Sequence, residues 1–323
     1  MAGIELYAPR TANQRRTWTW AVIVLSLTFL VVAQLIVVAP DMIRYAQAVH
    51  AHPELAKHHT PHSPALWELA VADGLLIMFI LLWMRVFERR SPAAIGFNAK
   101  PLLRYLRGWL IGCGFLIAVV CGLWAMGIYT VAGPGVWQAP TLALLAPILG
   151  WVALFMVQGA SEEVMMRGWL MQIVSSRHGL IWGVVINSLI FGALHLGNIK
   201  PSPELWAGAS NVALFGIFIS LYALKERSLW GVCAWHAAWN WLLGVGFGLE
   251  VSGLDMKIAP LVIKLKDADG APWWLSGGSW GPEASIMTTG VLLIGIAFLV
   301  WKGALSSANG YSAPLLEVKA KPK

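Results

Sequence analysis

The sequence predicts an all-α, polytopic transmembrane helical bundle of about eight membrane-spanning helices. Three observations carry that reading. Apolar residues fill 58% of the 323 positions and charged residues only 12%, where a soluble domain carries roughly 25% charged residues. So few charges cannot cover a water-facing surface of this size. The charges also cluster between long apolar runs, the pattern of spans and loops, and most runs approach the roughly 20 residues that a helix needs to cross a bilayer.

The first run, 17–38, follows Arg10, Arg15 and Arg16 and is too long for the apolar core of a signal peptide, so it is expected to span. The second, 65–87, leads into a basic segment with Arg85, Arg89, Arg90, Lys100, Arg104 and Arg107. The third, 106–131, carries Gly108 and Gly112, small residues at a spacing that lets helices approach closely in lipid. The fourth, 144–174, is too long for one perpendicular crossing. Pro140 and Pro147 suit a broken start near Thr141, and tilt is the other solution. Runs 180–197, 205–224, 229–249 and 286–302 complete the set. The connection 250–285 holds Lys264, Lys266, Asp267 and Asp269, then Trp273 and Trp274, an aromatic pair suited to the membrane interface. Residues 304–323 read as a disordered tail. The chain, 1–323, is thus expected to be a single integral membrane domain with a motif-bearing core at about 85–303.

Basic residues alternate by loop. They gather in the N-terminal arm, after run two, at Arg177 and His178, at Lys225 and Arg227, and in the tail at Lys302, Lys319, Lys321 and Lys323. This assigns both termini to the cytoplasmic side, with a bacterial inner membrane as the expected location. The net charge of +7 is explained by these flanks, so no nucleic-acid partner is expected. Cys113, Cys121 and Cys233 all sit in apolar runs and form no CxxC pattern, which assigns them to packing. Five of the eight histidines, His50, His52, His58, His59 and His62, crowd the first outer loop. Such a cluster can bind metal, but without a fixed scaffold a solvated loop is favoured.

An ionisable side chain at mid-span costs at least ~2.5–3.5 kcal/mol on insertion scales, so polar residues inside the runs are where function is sought. Glu162, Glu163 and Arg167 lie in run four. Residues four apart share a helix face, so Glu163 can pair with Arg167, while Glu162 points about 100° away. One carboxylate is neutralised; its neighbour is free for proton chemistry. His195 follows Phe191 by four residues in run five, and His236 and Asn240 are four apart in run seven. At 1.5 Å of rise per residue, Glu162 and His195 lie roughly 20–25 Å from the cytoplasmic ends, and His236 and Asn240 roughly 10–17 Å. Tilt closes the difference, so acid, base and donors are expected at one interior level. Glu68 and Asp73 in run two are expected near the outer face in structural roles, and Asn187, Asn198 and Asn211 are candidates for orienting helices or the histidines.

These residues spell Glu162-Glu163-x-x-x-Arg167, Phe191-x-x-x-His195 and His236-x-x-x-Asn240, in order, on three apolar helices. With His195-Leu196-Gly197-Asn198, Ser228-Leu229-Trp230 and Gly281-Pro282-Glu283 in support, the sequence resembles the CPBP family, the CAAX-protease and bacteriocin-processing enzymes also called Abi, over about residues 85–300. The resemblance implies an intramembrane endopeptidase acting on a membrane-associated peptide or protein within the lipid bilayer. It implies that Glu162 with His195 activates water, that His236 with Asn240 binds the oxyanion, and that Glu163 and Arg167 support them. No cofactor is expected. A zinc version, liganded by Glu162, His195 and His236, stays open as an alternative, although no H-E-x-x-H occurs. A non-proteolytic membrane protein of the Abi type, for bacteriocin immunity or as a scaffold, is the other alternative, against which the intact motif set argues because a scaffold needs none of these costly polar groups; a proton-coupled transporter would usually show repeats, and none is seen.

Overall fold

In the computed structural model, the residues described are 3–52, 66–98, 100–306 and 310–312. Helices coincide with the apolar runs: α1 (Thr19–Ala51), α2 (Leu66–Trp83), α3 (Pro101–Ala125), α4 (Leu142–Glu163), α5 (Met171–His178), α6 (Leu180–Leu194), α7 (Pro203–Glu226), α8 (Trp230–Trp241), a single turn α9 (Trp273–Ser276) and α10 (Ile286–Trp301). Two-stranded pairings aside, the molecule is helical. Among the described residues, five helical rods are long and apolar enough to cross a membrane, and α6 and α10 are shorter apolar helices.

Local chemistry explains the starts. Thr141, Ser202 and Ser285 each place a side-chain oxygen on the amide three residues on, opening α4, α7 and α10, the standard way to satisfy a free helix N–H. Pro203 occupies the first turn of α7, where its missing N–H costs nothing. The fourth run does not break at Pro147: residues 142–178 form one rod of 37 residues, about 55 Å long. That exceeds a bilayer core of about 30 Å, so the rod tilts or projects. Its middle is a wider π-helical turn, Val164–Leu170, placed directly after the two glutamates.

α8 is the centre of the bundle. Every residue from Gly231 to Asn240 is buried, as befits a helix apolar all round. Glycines admit its neighbours: a Cβ on Gly108 of α3 would meet the Gly231 carbonyl at 2.0 Å, and one on Gly112 would meet that of Trp235 at 2.5 Å. The close approach foreseen from the Gly108 and Gly112 spacing is therefore an α3–α8 contact. The three cysteines form no disulfide.

Three readings are corrected. The helix of run one continues through Pro40 to Ala51, so His50 is helical and His52 follows it; His58, His59 and His62 lie outside the described residues. The end of run three is not helix. Gly127 turns the chain at φ +73, and β2 (Tyr129–Pro134) pairs antiparallel with β3 (Ile263–Asp267). Beside this ribbon, Trp273 and Trp274 are both exposed. Part of the expected tail is also ordered. β1 (Ile4–Glu5) pairs with β4 (Tyr311–Ser312), while residues 307–309 and 313–323 lie outside the description.

The β1–β4 pairing holds the two terminal segments at one end of the bundle, opposite the β2–β3 ribbon. Single cysteines replacing Ala12 and Tyr311 should therefore be labelled by an impermeant thiol reagent from one membrane face, and one replacing Asp269 from the other. Labelling of positions 12 and 311 from opposite faces would contradict the arrangement.

Candidate active site

The last turns of α4 carry Gln158, Ser161, Glu162 and Glu163, and the π-helical turn carries Arg167. Glu163 and Arg167 are wholly buried and joined at 3.0 Å. The guanidinium lies over the rings of Phe191, at 4.6 Å, and Phe215, at 5.9 Å. Its Nε and Nη2 have no hydrogen-bond partner among protein atoms; the aromatic faces stand where acceptors would be, a contact worth more when desolvated. This gives Phe191 of the Phe191-x-x-x-His195 motif a physical task. Its ring stacks on Arg167 and meets His195 and His236 edge-on at 4.9 and 6.2 Å.

His236 of α8 reaches the same Glu163 oxygen through Nδ1 at 2.9 Å. Its Nε2 faces Glu162 Oε2 at 3.6 Å, beyond a direct hydrogen bond. Glu162 is not paired with Arg167, as the helix geometry requires; its Oε1 accepts from Gln158 Nε2 at 2.6 Å. Gln158 in turn accepts from Asn240 Nδ2 at 3.1 Å. His195 closes α6, with Nδ1 at 2.9 Å from the Phe191 carbonyl. A carbonyl only accepts, so Nδ1 carries a hydrogen, and Nε2 is the ring nitrogen left for other partners. Glu162, His195, His236 and Asn240 all line one cavity of about 410 Å³; Glu163 and Arg167 stand behind it. The common interior level expected from the depth count is thus a shared cavity wall.

Further polar residues line this cavity, among them Gln158, Asp73 and Glu283. Gln158 precedes Glu162 by four residues, the same spacing that pairs Glu163 with Arg167, so the sequence itself carries the signal for this contact. Asp73, expected near the outer face in a structural role, lines the cavity and accepts from Ser161 Oγ at 2.6 Å, because α2 packs directly on α4; no local pattern reveals that contact. Glu283, in the loop before α10, accepts from Trp239 Nε1 at 2.9 Å and from Ser252 Oγ at 3.1 Å. Burial pushes its carboxyl above the usual carboxylate range, against those bonds. The three asparagines hold loops and helices: Asn187 bonds Ser220 of α7, Asn198 the Ser252 carbonyl, and Asn211 the carbonyls of Glu283 and Ser285.

Zinc needs at least three protein ligands converging on one point. Among the described residues, no three His, Cys, Asp or Glu side chains form such a group, and the Nδ1 of His236 is already directed at Glu163.

Removing one partner of a buried ion pair costs roughly 3–5 kcal/mol, because the other charge stays uncompensated. Arg167→Ala should therefore lower folded yield and melting temperature sharply, measured on detergent-purified protein; parent-like stability would show that the pair is not a support. Gln158→Ala faces the cavity and should fold normally. It should lose roughly tenfold or more of any turnover, the worth of a hydrogen bond to a charged group.

Neither curated proteins nor solved structures provide a match to the chain. A family model does: residues 143–242 match the type II CAAX prenyl endopeptidase Rce1-like family. The matched stretch contains Gln158, Glu162, Glu163, Arg167, Phe191, His195, His236 and Asn240, and ends just after α8. The integral membrane bundle described above thus contains, in its central helices, a stretch similar to the Rce1-like family.

Proposed function

We propose that this chain is an intramembrane endopeptidase of glutamic type, hydrolysing a peptide bond of a membrane-associated peptide or protein. One observation supports it above the rest: side chains from α4, α6 and α8, separated by up to 82 residues, converge on a single cavity. Glu162 is the general base. It sits at the cavity wall, clear of Arg167 and held by Gln158. It takes a proton from water as the oxygen attacks the scissile carbonyl, and returns that proton to the leaving amine as the C–N bond breaks. His195 Nε2 helps hold the water.

His236 and Asn240 are donors to the oxyanion, preorganised before charge develops. With His236 Nδ1 serving Glu163, its Nε2–H, 3.6 Å from Glu162 and so beyond a direct hydrogen bond, is the donor left for the oxyanion. The second amide hydrogen of Asn240 is left for substrate once the first serves Gln158. Apolar walls from Trp151, Leu154 and Phe155 suit a lipophilic substrate and keep the site dry, which strengthens each electrostatic contact. The alternation of basic loops supports cytoplasmic termini and an inner-membrane location.

The test is hydrolysis by the reconstituted chain of a quenched-fluorescent peptide panel, prenylated CAAX peptides and unprenylated apolar ones together. Glu162→Gln preserves shape and removes the base; it should fold and lose nearly all turnover. Asn240→Ala should lose roughly 10²–10³ in turnover, the usual cost of one oxyanion donor. Full turnover in Glu162→Gln would remove this mechanism. Stoichiometric zinc in the purified protein, lost on mutating His195 or His236 and needed for turnover, would recast those residues as ligands.

A further inference from the structure

The N-terminal segment before α1 lies outside the family-matched stretch, yet it is anchored in the bundle. Glu5 is fully buried and binds Arg10 at 2.9 Å, Arg90 at 3.1 Å and Arg16 at 3.6 Å. Glu88 binds Arg10 at 3.7 Å and the Thr17 hydroxyl at 2.6 Å. Arg177 bonds the carbonyls of Arg16 and Thr17. Glu5, Glu88, Arg10 and Arg90 are buried charged groups, stable only when mutually satisfied.

This strap touches the π-helical turn of the site at two points. Tyr7, buried beside the Gly96 turn, donates its hydroxyl hydrogen to the Arg167 carbonyl at 3.1 Å. Glu88, held by the strap, accepts from Trp169 Nε1 at 3.1 Å. The first contact falls on the π-helical turn itself. The amide of Met171 bonds the Met166 carbonyl, five residues back, instead of that of Arg167. Such π turns are local departures from the α-helix, found often at functional sites. The Tyr7 hydroxyl sits on the carbonyl that this shift releases from Met171.

We propose that residues 3–17 form a strap whose Tyr7 is a positioning residue for the hydrolysis assigned above. It fixes the backbone of Arg167, which holds Glu163 at 3.0 Å, which holds His236 Nδ1 at 2.9 Å. The strap thereby sets the ring that faces Glu162, from the opposite side of the helix to the cavity. The inference rests on the endopeptidase reading for its effect on rate, but not for its effect on the helix.

Tyr7→Phe removes one hydroxyl and keeps the ring. In the reconstituted protein, hydrogen exchange of the 164–172 amides should rise in this variant while folded yield stays near that of the parent. On the best-cleaved peptide of the panel, kcat should fall about 3- to 10-fold, the worth of one hydrogen bond. KM should stay unchanged, and the pH profile of kcat should move with the loosened His236. Glu5→Gln, which weakens the anchor without touching the site, should give the same exchange pattern more strongly. Parent-like exchange in Tyr7→Phe overturns the inference, whatever the enzyme does. Raised exchange with unchanged kcat and pH profile overturns the positioning role and leaves a merely structural one. Glu162→Gln, assayed in parallel, reports on the endopeptidase reading alone.

Discussion

The site is built around one difficulty: a guanidinium buried completely inside a membrane protein. Arg167 exposes none of its side chain, and an unpaired charge there would cost several kcal/mol. Glu163 supplies the counter-charge, and the rings of Phe191 and Phe215 cover the edges that no acceptor reaches. Each of these groups comes from a different part of the chain, so satisfying Arg167 pulls α4, α6 and α7 into fixed relation. His236 then joins the same carboxylate from α8. The solution to a solvation problem becomes the frame of the cavity.

That frame also separates the two adjacent carboxylates. Glu163 holds both Arg167 and His236 on its Oε1 and stands behind the wall. Glu162, rotated about 100° around the helix, faces the cavity with only Gln158 and, at 3.6 Å, His236 nearby. A helix thus gives neighbouring residues of one type different protonation environments without any change in sequence chemistry. The π-helical turn that follows widens the helix at Arg167, and the strap covers the side that the widening loosens.

Close backbone approach does the remaining work. In lipid there is little hydrophobic gain from bringing apolar helices together, so packing of small residues carries more of the association. Gly108 and Gly112 let α3 lie on the α8 backbone, and Gly159 does the same for α4, where a Cβ would meet the Ala237 amide at 3.0 Å. α8 is gripped from both sides, which fixes His236 and Asn240 against α4.

Much of this was legible from the sequence. Apolar run length sets span length because the bilayer has a fixed thickness, so the helices fall where the runs do. Four-residue spacing fixes which side chains share a face, so the Glu163–Arg167 pair and the separate aspect of Glu162 follow from local geometry alone. Contacts between helices do not follow, because they depend on rotations and tilts that no single run encodes. Only the packing of α2 on α4 turned Asp73 into the cavity, only the convergence of α4 with α8 linked Asn240 to Glu162 through Gln158, and only the docking of the N-terminal segment brought Tyr7 to Arg167. The sequence by itself determined the spans, the motifs and the division between two glutamates; the tertiary structure decided which polar groups meet, because in a bundle each helix must find its partners across distances that periodicity does not measure.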